Sequence, residues 1–291
     1  MKILIIQSDG QHKGQDGWTP NWYLRECYAI QYAFQKNGHE ADIWGLRHEN
    51  FSQRLDFSKY DIIFCIENYE TDWLPKFPDI KGPLKIQWII DLQYRGNEAF
   101  APISKGFDII ANSTRCLMAG YNKYLAKNQK HIWFPNGVDD RYFTKTDEIE
   151  KKNDIIFVGS DGINRIHFIN QLVNDPKIKM KKIFATGIDM INLIKSTKIH
   201  FNKNDMVDIN YRTFETIGLG TCLVTNWDKD LEPLGFIDGN NCLLYKDINE
   251  CKNKILLSLK TESWKEIAKN GYELSKQNTY TKRIEKLLKE I

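Results

Sequence analysis

Short apolar runs rich in β-branched residues recur along the chain, each followed by a longer stretch in which apolar positions return every three or four residues. The first pattern reads as parallel strands buried on both faces, the second as the helices that cross between them. In the first half, strands are expected at 2–7, 40–44, 61–66, 84–90, 107–111 and 131–134. Between the first two, 21–36 carries Leu24, Tyr28, Ile30, Tyr32 and Phe34 at helical spacing, and Asn37-Gly38 supplies a stop. After the polar stretch 144–153 the series restarts with DIIFVGS at 154–160 and continues at 182–185, 198–201, 221–225 and 241–245. The fold class is α/β, and the two consecutive sets predict Rossmann-like domains at 1–145 and 146–278, with a linker near 141–153. The tail ends in the charged amphipathic run TKRIEKLLKEI, and 279–291 is expected to be a helix that packs back on the first domain.

Composition narrows the class. With 42% hydrophobic residues over 291 positions the chain can bury a sizeable core, which excludes disorder. Lys plus Arg number 41 against 38 Asp plus Glu; cut at residue 145, the halves hold 18 against 17 and 23 against 21, so +1 and +2. Neither half is a basic arm for nonspecific nucleic-acid binding. The six cysteines, scattered without C-x-x-C spacing, read as buried reduced thiols. The opening run ILII is too short for a signal-peptide core, and no apolar stretch approaches the roughly 20 residues of a membrane span. A cytoplasmic protein is expected.

Several chemistries lack their residues. Gly10, Gly14 and Gly17 after the first strand do not have the G-x-G-x-x-G spacing of a dinucleotide site, and there is no G-x-x-x-x-G-K-[ST] or G-x-S-x-G. The six histidines show no metal-ligand spacing, so no metal site is expected. Asp228-Lys229-Asp230 has the D-x-D form of metal-dependent sugar transferases, but acids after a strand also suit a helix start, the favoured reading.

The segment DINYRTFETIGLGTCLVTN at 208–226 resembles the R-x-F-E-x-x-x-x-G segment of CgeB-like glycosyltransferases, the spore maturation protein family. IIFVGS with Arg165, WIID at 88–91, FDIIANS at 107–113, FPNGVD at 134–139, FIDGNNCLLYKD at 236–247 and TYTKRIEKLL at 279–288 agree in order. The resemblance implies a GT-B architecture, two Rossmann-like domains facing across a cleft. It implies transfer of a hexosyl or pentosyl group from a nucleotide-sugar donor, a UDP-sugar first among them, to an acceptor hydroxyl, with the donor as substrate and no cofactor. Glu215 matches the family's ribose-binding glutamate, its two oxygens suited to a diol. Arg165 matches a phosphate clamp and is expected one turn into a helix; Arg212, three residues before Glu215, is a second candidate for the leaving diphosphate. Gly159 and Ser160 would turn backbone amides to phosphate, Gly218 would allow close backbone approach, and Asn241 sits in the late D-G-x-N turn. Many retaining relatives carry a second glutamate eight residues before the first, where this chain has Val207.

The first domain is expected to hold the acceptor and the general base. Asp91 at the end of KIQWII, and His12 and Asp9 in the loop after the first strand, are the candidates. The acceptor is unassigned, and a modified base in DNA is the less favoured class because the halves are near neutral. Two other readings stay open: a non-catalytic protein that binds a nucleotide sugar or a glycan, and a metal-dependent transferase built on Asp228 and Asp230.

Overall fold

In the computed structural model, which describes residues 1–9, 24–68, 70–143, 149–160, 162 and 165–291, all eleven expected strands form. β1 (Lys2–Ile6), β2 (Glu40–Trp44), β3 (Ile62–Ile66), β4 (Leu84–Ile89), β5 (Ile109–Asn112) and β6 (Lys130–Trp133) make one sheet. β7 (Asn153–Val158), β8 (Lys181–Ile183), β9 (Thr197–Phe201), β10 (Cys222–Asn226) and β11 (Leu243–Tyr245) make a second. Every neighbouring pair is parallel. The orders are β2-β1-β3-β4-β5-β6 and, from the opposite edge, β8-β7-β9-β10-β11. Each sheet therefore reverses its winding at its first strand. A doubly wound sheet binds ligands outside the carboxyl ends of its strands at that reversal, so the positions to inspect follow β1 and β3 in one sheet and β7 and β9 in the other.

The strands form where both faces can be covered. IIFCI of β3 is buried at every position, as is KILII of β1 beyond Lys2. The crossover helices supply the cover: α1 (Glu26–Lys36) buries Cys27, Ala29, Ile30, Ala33 and Phe34, and ends at Asn37, after which Gly38 takes φ +82°. The expected start of this helix at 21–23 lies outside the described residues. α2 (Leu92–Arg95), α3 (Asn97–Ser104) and α4 (Arg115–Tyr121) follow in the first sheet's half. α5 (Ile166–Val173), α6 (Gly187–Lys195), α7 (Tyr211–Gly218), α8 (Ile248–Thr261) and α9 (Trp264–Ser275) belong to the second, and α10 (Tyr280–Glu290) ends the chain.

The chain divides into two compact units, Met1–Pro135 with Tyr280–Ile291, and Asn136–Thr279. Residues 136–143 fall in the second because their polar groups are satisfied there: Asn136 Nδ2 donates to the Ile209 carbonyl at 3.0 Å and the Val138 amide to that of Asn278 at 2.8 Å. The polar stretch 144–148 lies outside the described residues. α10 is part of the first unit, with Ile284 and Leu287 buried. Asn37 at the end of α1 donates to the Thr281 carbonyl at 3.1 Å, and the Tyr280 ring stands edge-on to Trp88 with centroids 5.8 Å apart.

None of the six cysteines forms a disulfide; five are buried, whereas Cys116 on α4 is partly exposed, a departure from the uniformly buried set expected. Among the described residues no helix is long and apolar enough to cross a membrane.

Candidate functional site

The winding reversal of the second unit gathers charge at the carboxyl ends of β7 and β9. After β7 come Gly159 and the exposed Ser160, whose hydroxyl receives a hydrogen bond from Arg165 Nη2 at 3.0 Å. Arg165 occupies the N-cap position of α5 rather than a place one turn in, because the helix begins only at Ile166. Its guanidinium lies over the Phe157 ring at 5.5 Å, and its Nε is buried with no hydrogen-bond partner among the described residues. After β9 come Lys203 and Asp205. Burial lowers the Lys203 ammonium below its usual range and the Arg165 charge adds to this, while Asp205 opposes it. A methyl group placed on Gly162 would lie 3.1 Å from Arg165 Nε and 3.3 Å from Asp205 Oδ2, so a side chain at that turn would crowd both groups. Lys203 was not legible as a site residue in the sequence. Its signal is its position two residues beyond a buried strand that borders the reversal.

A buried amide network holds the loop from β9 to α7. Asn202 Nδ2 lies 3.0 Å from Thr213 Oγ1 and 3.1 Å from both Asn204 Oδ1 and Asn210 Oδ1; Asn210 caps α7 through the Thr213 amide at 3.3 Å. Val207 is exposed on this loop and Asp208 is buried. At the start of α7, Arg212 pairs with Glu215 one turn further on and touches Met190 of α6. Both partners are largely buried, with side chains 20% and 16% exposed. Behind them His200 is fully buried, its Nδ1 2.7 Å from Thr216 Oγ1, while that hydroxyl donates to the Arg212 carbonyl at 2.6 Å. The threonine proton is thereby committed, so His200 donates from Nδ1. Burial first, then the Arg212 charge, hold the imidazole well below its ordinary pKa and therefore neutral. His200 is a prop for the helix that presents Arg212 and Glu215.

In the first unit the reversal lies between β1 and β3. Asp9 follows β1, its amide bonded to the Leu46 carbonyl at 2.8 Å and its Oδ1 buried without a partner among the described residues. Gly45 is required nearby, since a Cβ there would sit 2.1 Å from the Gln7 carbonyl oxygen. After β3 comes Glu67, which sequence reading missed. Its Oε2 accepts the amides of Ile90 and Asp91 at 2.7 and 2.8 Å, and Oε1 lies 3.4 Å from Arg95 Nη1. Two carboxylates, Glu67 and Asp91, thus stand at the carboxyl ends of adjacent strands β3 and β4. Burial raises the Glu67 pKa from 4.5 to about 7, with the Asp91 charge adding to it and the two amides and Arg95 opposing.

A carboxyl whose folded pKa exceeds its unfolded value holds its proton longer when folded, so its contribution to stability falls as pH rises from 4.5 to about 7 and is flat above. The whole shift corresponds to about 3 kcal/mol. Glu67→Gln should remove that slope: the stability lost between pH 5 and pH 8, read from urea midpoints, is expected to shrink by most of this amount. Equal slopes in variant and parent would show that Glu67 is ionised throughout.

The remaining expected residues are placed differently. His12 lies outside the described residues. Gly218 is buried at the end of α7, where a Cβ would come within 2.7 Å of the Phe143 carbonyl oxygen; in this structure the absent side chain serves packing within the unit. Gly220 follows with φ +66° and closes a Schellman turn, its amide on the Ile217 carbonyl and that of Thr221 on Thr216. The Asn241 side chain is committed to its own loop, accepting from the Ile237 amide at 2.8 Å and donating to the Gly235 carbonyl at 2.9 Å. Asp228 caps a turn of 3-10 helix, Lys229–Leu234, by accepting the Asp230 amide at 2.8 Å, and Asp230 is buried. Among the described residues no three His, Cys, Asp or Glu side chains converge as metal ligands would.

Two parallel, doubly wound units with this strand order constitute the GT-B fold of glycosyltransferases. Residues 147–289, which include every charged side chain described at the second reversal, match the family described as glycosyl transferase-like. Among solved structures, an α-glucosyltransferase in complex with UDP-glucose and DNA containing an abasic site superposes with a TM-score of 0.68 at 12% identity, covering 100% of this chain and 99% of that one. HepE of Anabaena in complex with UDP and glucose gives 0.65 at 11%, covering 100% of both. Sucrose-phosphate synthase of Thermosynechococcus elongatus gives 0.64 at 11%, covering 99% and 98%. At such identities these likenesses establish the fold. No curated protein sequence matches the chain.

Proposed function

We propose that this protein is a glycosyltransferase that moves a sugar from a UDP-sugar to an acceptor hydroxyl, of the CgeB-like kind that the motif order suggests. The observation that carries the reading is the arrangement at the reversal of the second sheet: Arg165 and Lys203 at the strand ends, and the Arg212–Glu215 pair at the start of the following helix. A nucleoside diphosphate presents the complementary groups. Glu215 accepts two hydrogen bonds from the ribose diol, releasing Arg212 to the phosphates. Arg165, Lys203 and the amides about Gly159 and Ser160 face the charge that grows on the diphosphate as the anomeric bond breaks. Three fixed cations are a sufficient counter-charge, which is why we take transfer to be metal-independent.

Asp91, backed by Glu67, is the general base we favour for the acceptor proton, ahead of Asp9 and His12. Gly218 and Asn241 are left with structural duties. Six cysteines without a disulfide fit a reducing cytoplasm. The neighbour solved with DNA and the neighbour solved with glucose support no choice between acceptor classes for this chain.

The test is a melting panel of UDP, GDP, TDP, ADP and CMP, followed by turnover of UDP-glucose with and without EDTA. A nucleotide at 100 times its dissociation constant adds roughly 2.7 kcal/mol of stability, and UDP is expected to give the largest shift. Turnover should persist in EDTA. Loss restored by manganese would move the diphosphate to Asp228 and Asp230, and tight binding without turnover or hydrolysis would make the protein a binder.

A further inference from the structure

The second unit contains a cavity on the side of its sheet opposite the charged strand ends. It has a volume of about 640 Å³ and is lined by Lys151, Lys195, Leu219, Gly220, Trp264 and Ala268, with Glu150 at its edge. That is the size of a small-molecule site. Its walls come from the residues before β7, the end of α6, the turn before β10 and the first turn of α9.

The position of Lys195 is unusual for a lysine. It is only 9% exposed, and no hydrogen bond or ion pair is recorded for its ammonium among the described residues. Burial of the side chain lowers the ammonium's affinity for its proton. The other cations of the wall are differently placed. Lys265 pairs with Glu262 at 2.7 Å and Lys269 with Glu266 at 3.8 Å, while Lys151 donates to the Lys195 carbonyl at 2.7 Å. Lys195 therefore lines the cavity with no counter-charge among the described residues, together with Ala268 and with Trp264, over whose ring the Lys265 ammonium lies at 5.6 Å.

We propose that this cavity binds a small organic phosphate monoester, its dianion taken by Lys195 and Lys151 and its apolar body laid against Trp264. Two ammonium groups suit a dianion better than a single carboxylate. The site lies beyond the end of α7, where Leu219 and Gly220 follow the helix, whereas Arg212 is near its start, roughly 10 Å back along the axis, and Glu215 roughly 6 Å back.

The probe is para-fluorophenyl phosphate, followed by fluorine NMR on the full chain saturated with UDP. Parent protein is expected to broaden the probe line at millimolar concentration. Lys195→Met, which keeps the buried stem, should weaken binding at least tenfold, since a hydrogen bond to a charged group is lost. Glu150→Gln, an exposed change that removes an acid from the lining, should tighten it and so guards against a folding defect in the first variant. Equal affinity for Lys195→Met and parent, no broadening at 10 mM, or complete displacement by UDP would overturn the proposal. Equal binding of para-fluorobenzoate would overturn the phosphate assignment.

Discussion

Glu215→Gln is expected to weaken UDP binding by about 1.5–3 kcal/mol, a tenfold to hundredfold loss, with the fold intact. The amide keeps the volume and one acceptor but loses the charge that strengthens two hydroxyl contacts. The structure adds that Glu215 is held by Arg212, so the variant also leaves that guanidinium without its carboxylate. The pair is largely buried, so breaking it should cost more than the roughly 1 kcal/mol of an exposed pair, by less where the Gln amide still accepts from the guanidinium. Titration calorimetry with UDP and 2′-deoxy-UDP separates the two consequences. Parent protein should discriminate between the nucleotides and the variant should not. Equal UDP affinity in variant and parent would remove Glu215 from the site, whereas equal loss for both nucleotides would assign the effect to Arg212.

Arg165→Lys should lower the turnover of UDP-glucose on the order of a hundredfold, the magnitude of losing one donor aimed at developing charge. Lysine keeps the positive charge. It loses the planar fork that holds Ser160 with one nitrogen while another remains unpaired, and it loses the stack on Phe157. The cation–ring contact contributes about 0.5–1 kcal/mol, so thermal stability should move little while turnover collapses. Steady-state kinetics at saturating acceptor make the comparison. Parental turnover in the lysine variant would reduce Arg165 to a capping residue of α5.

Much of the architecture was legible because a strand covered on both faces has few ways to be written. KILII, IIFCI and NDIIFV need no context to be read as parallel strands, and the intervening helical periods fix α/β winding. The segment around Arg212 and Glu215 was legible through its resemblance to known transferases, and the structure puts the two side chains in contact on one helix face. Spacing of three along a helix dictates that neighbourhood before any tertiary contact exists.

Other features depend on distance in the chain. Glu67 and Asp91 are 24 residues apart, and Arg165 and Lys203 are 38 apart; each pair meets at one sheet end only because their strands are neighbours in the sheet, and for the second pair those strands flank the winding reversal. Local pattern cannot reveal which unit claims residues 136–143, since that follows from the amides of Val138 and Asn136 finding carbonyls at Asn278 and Ile209. Asn241 shows what local pattern leaves out, for its side chain also accepts from the Ile237 amide and donates to the Gly235 carbonyl within its own loop. The sequence by itself determined the elements, their winding and the helix that carries Glu215, because these rest on periodicity and short-range geometry. Tertiary structure alone decided which strand ends bring their charges together, which carboxyl is buried enough to keep its proton, and which lysine is folded into the wall of a cavity, because burial and charge proximity are properties of the assembled chain.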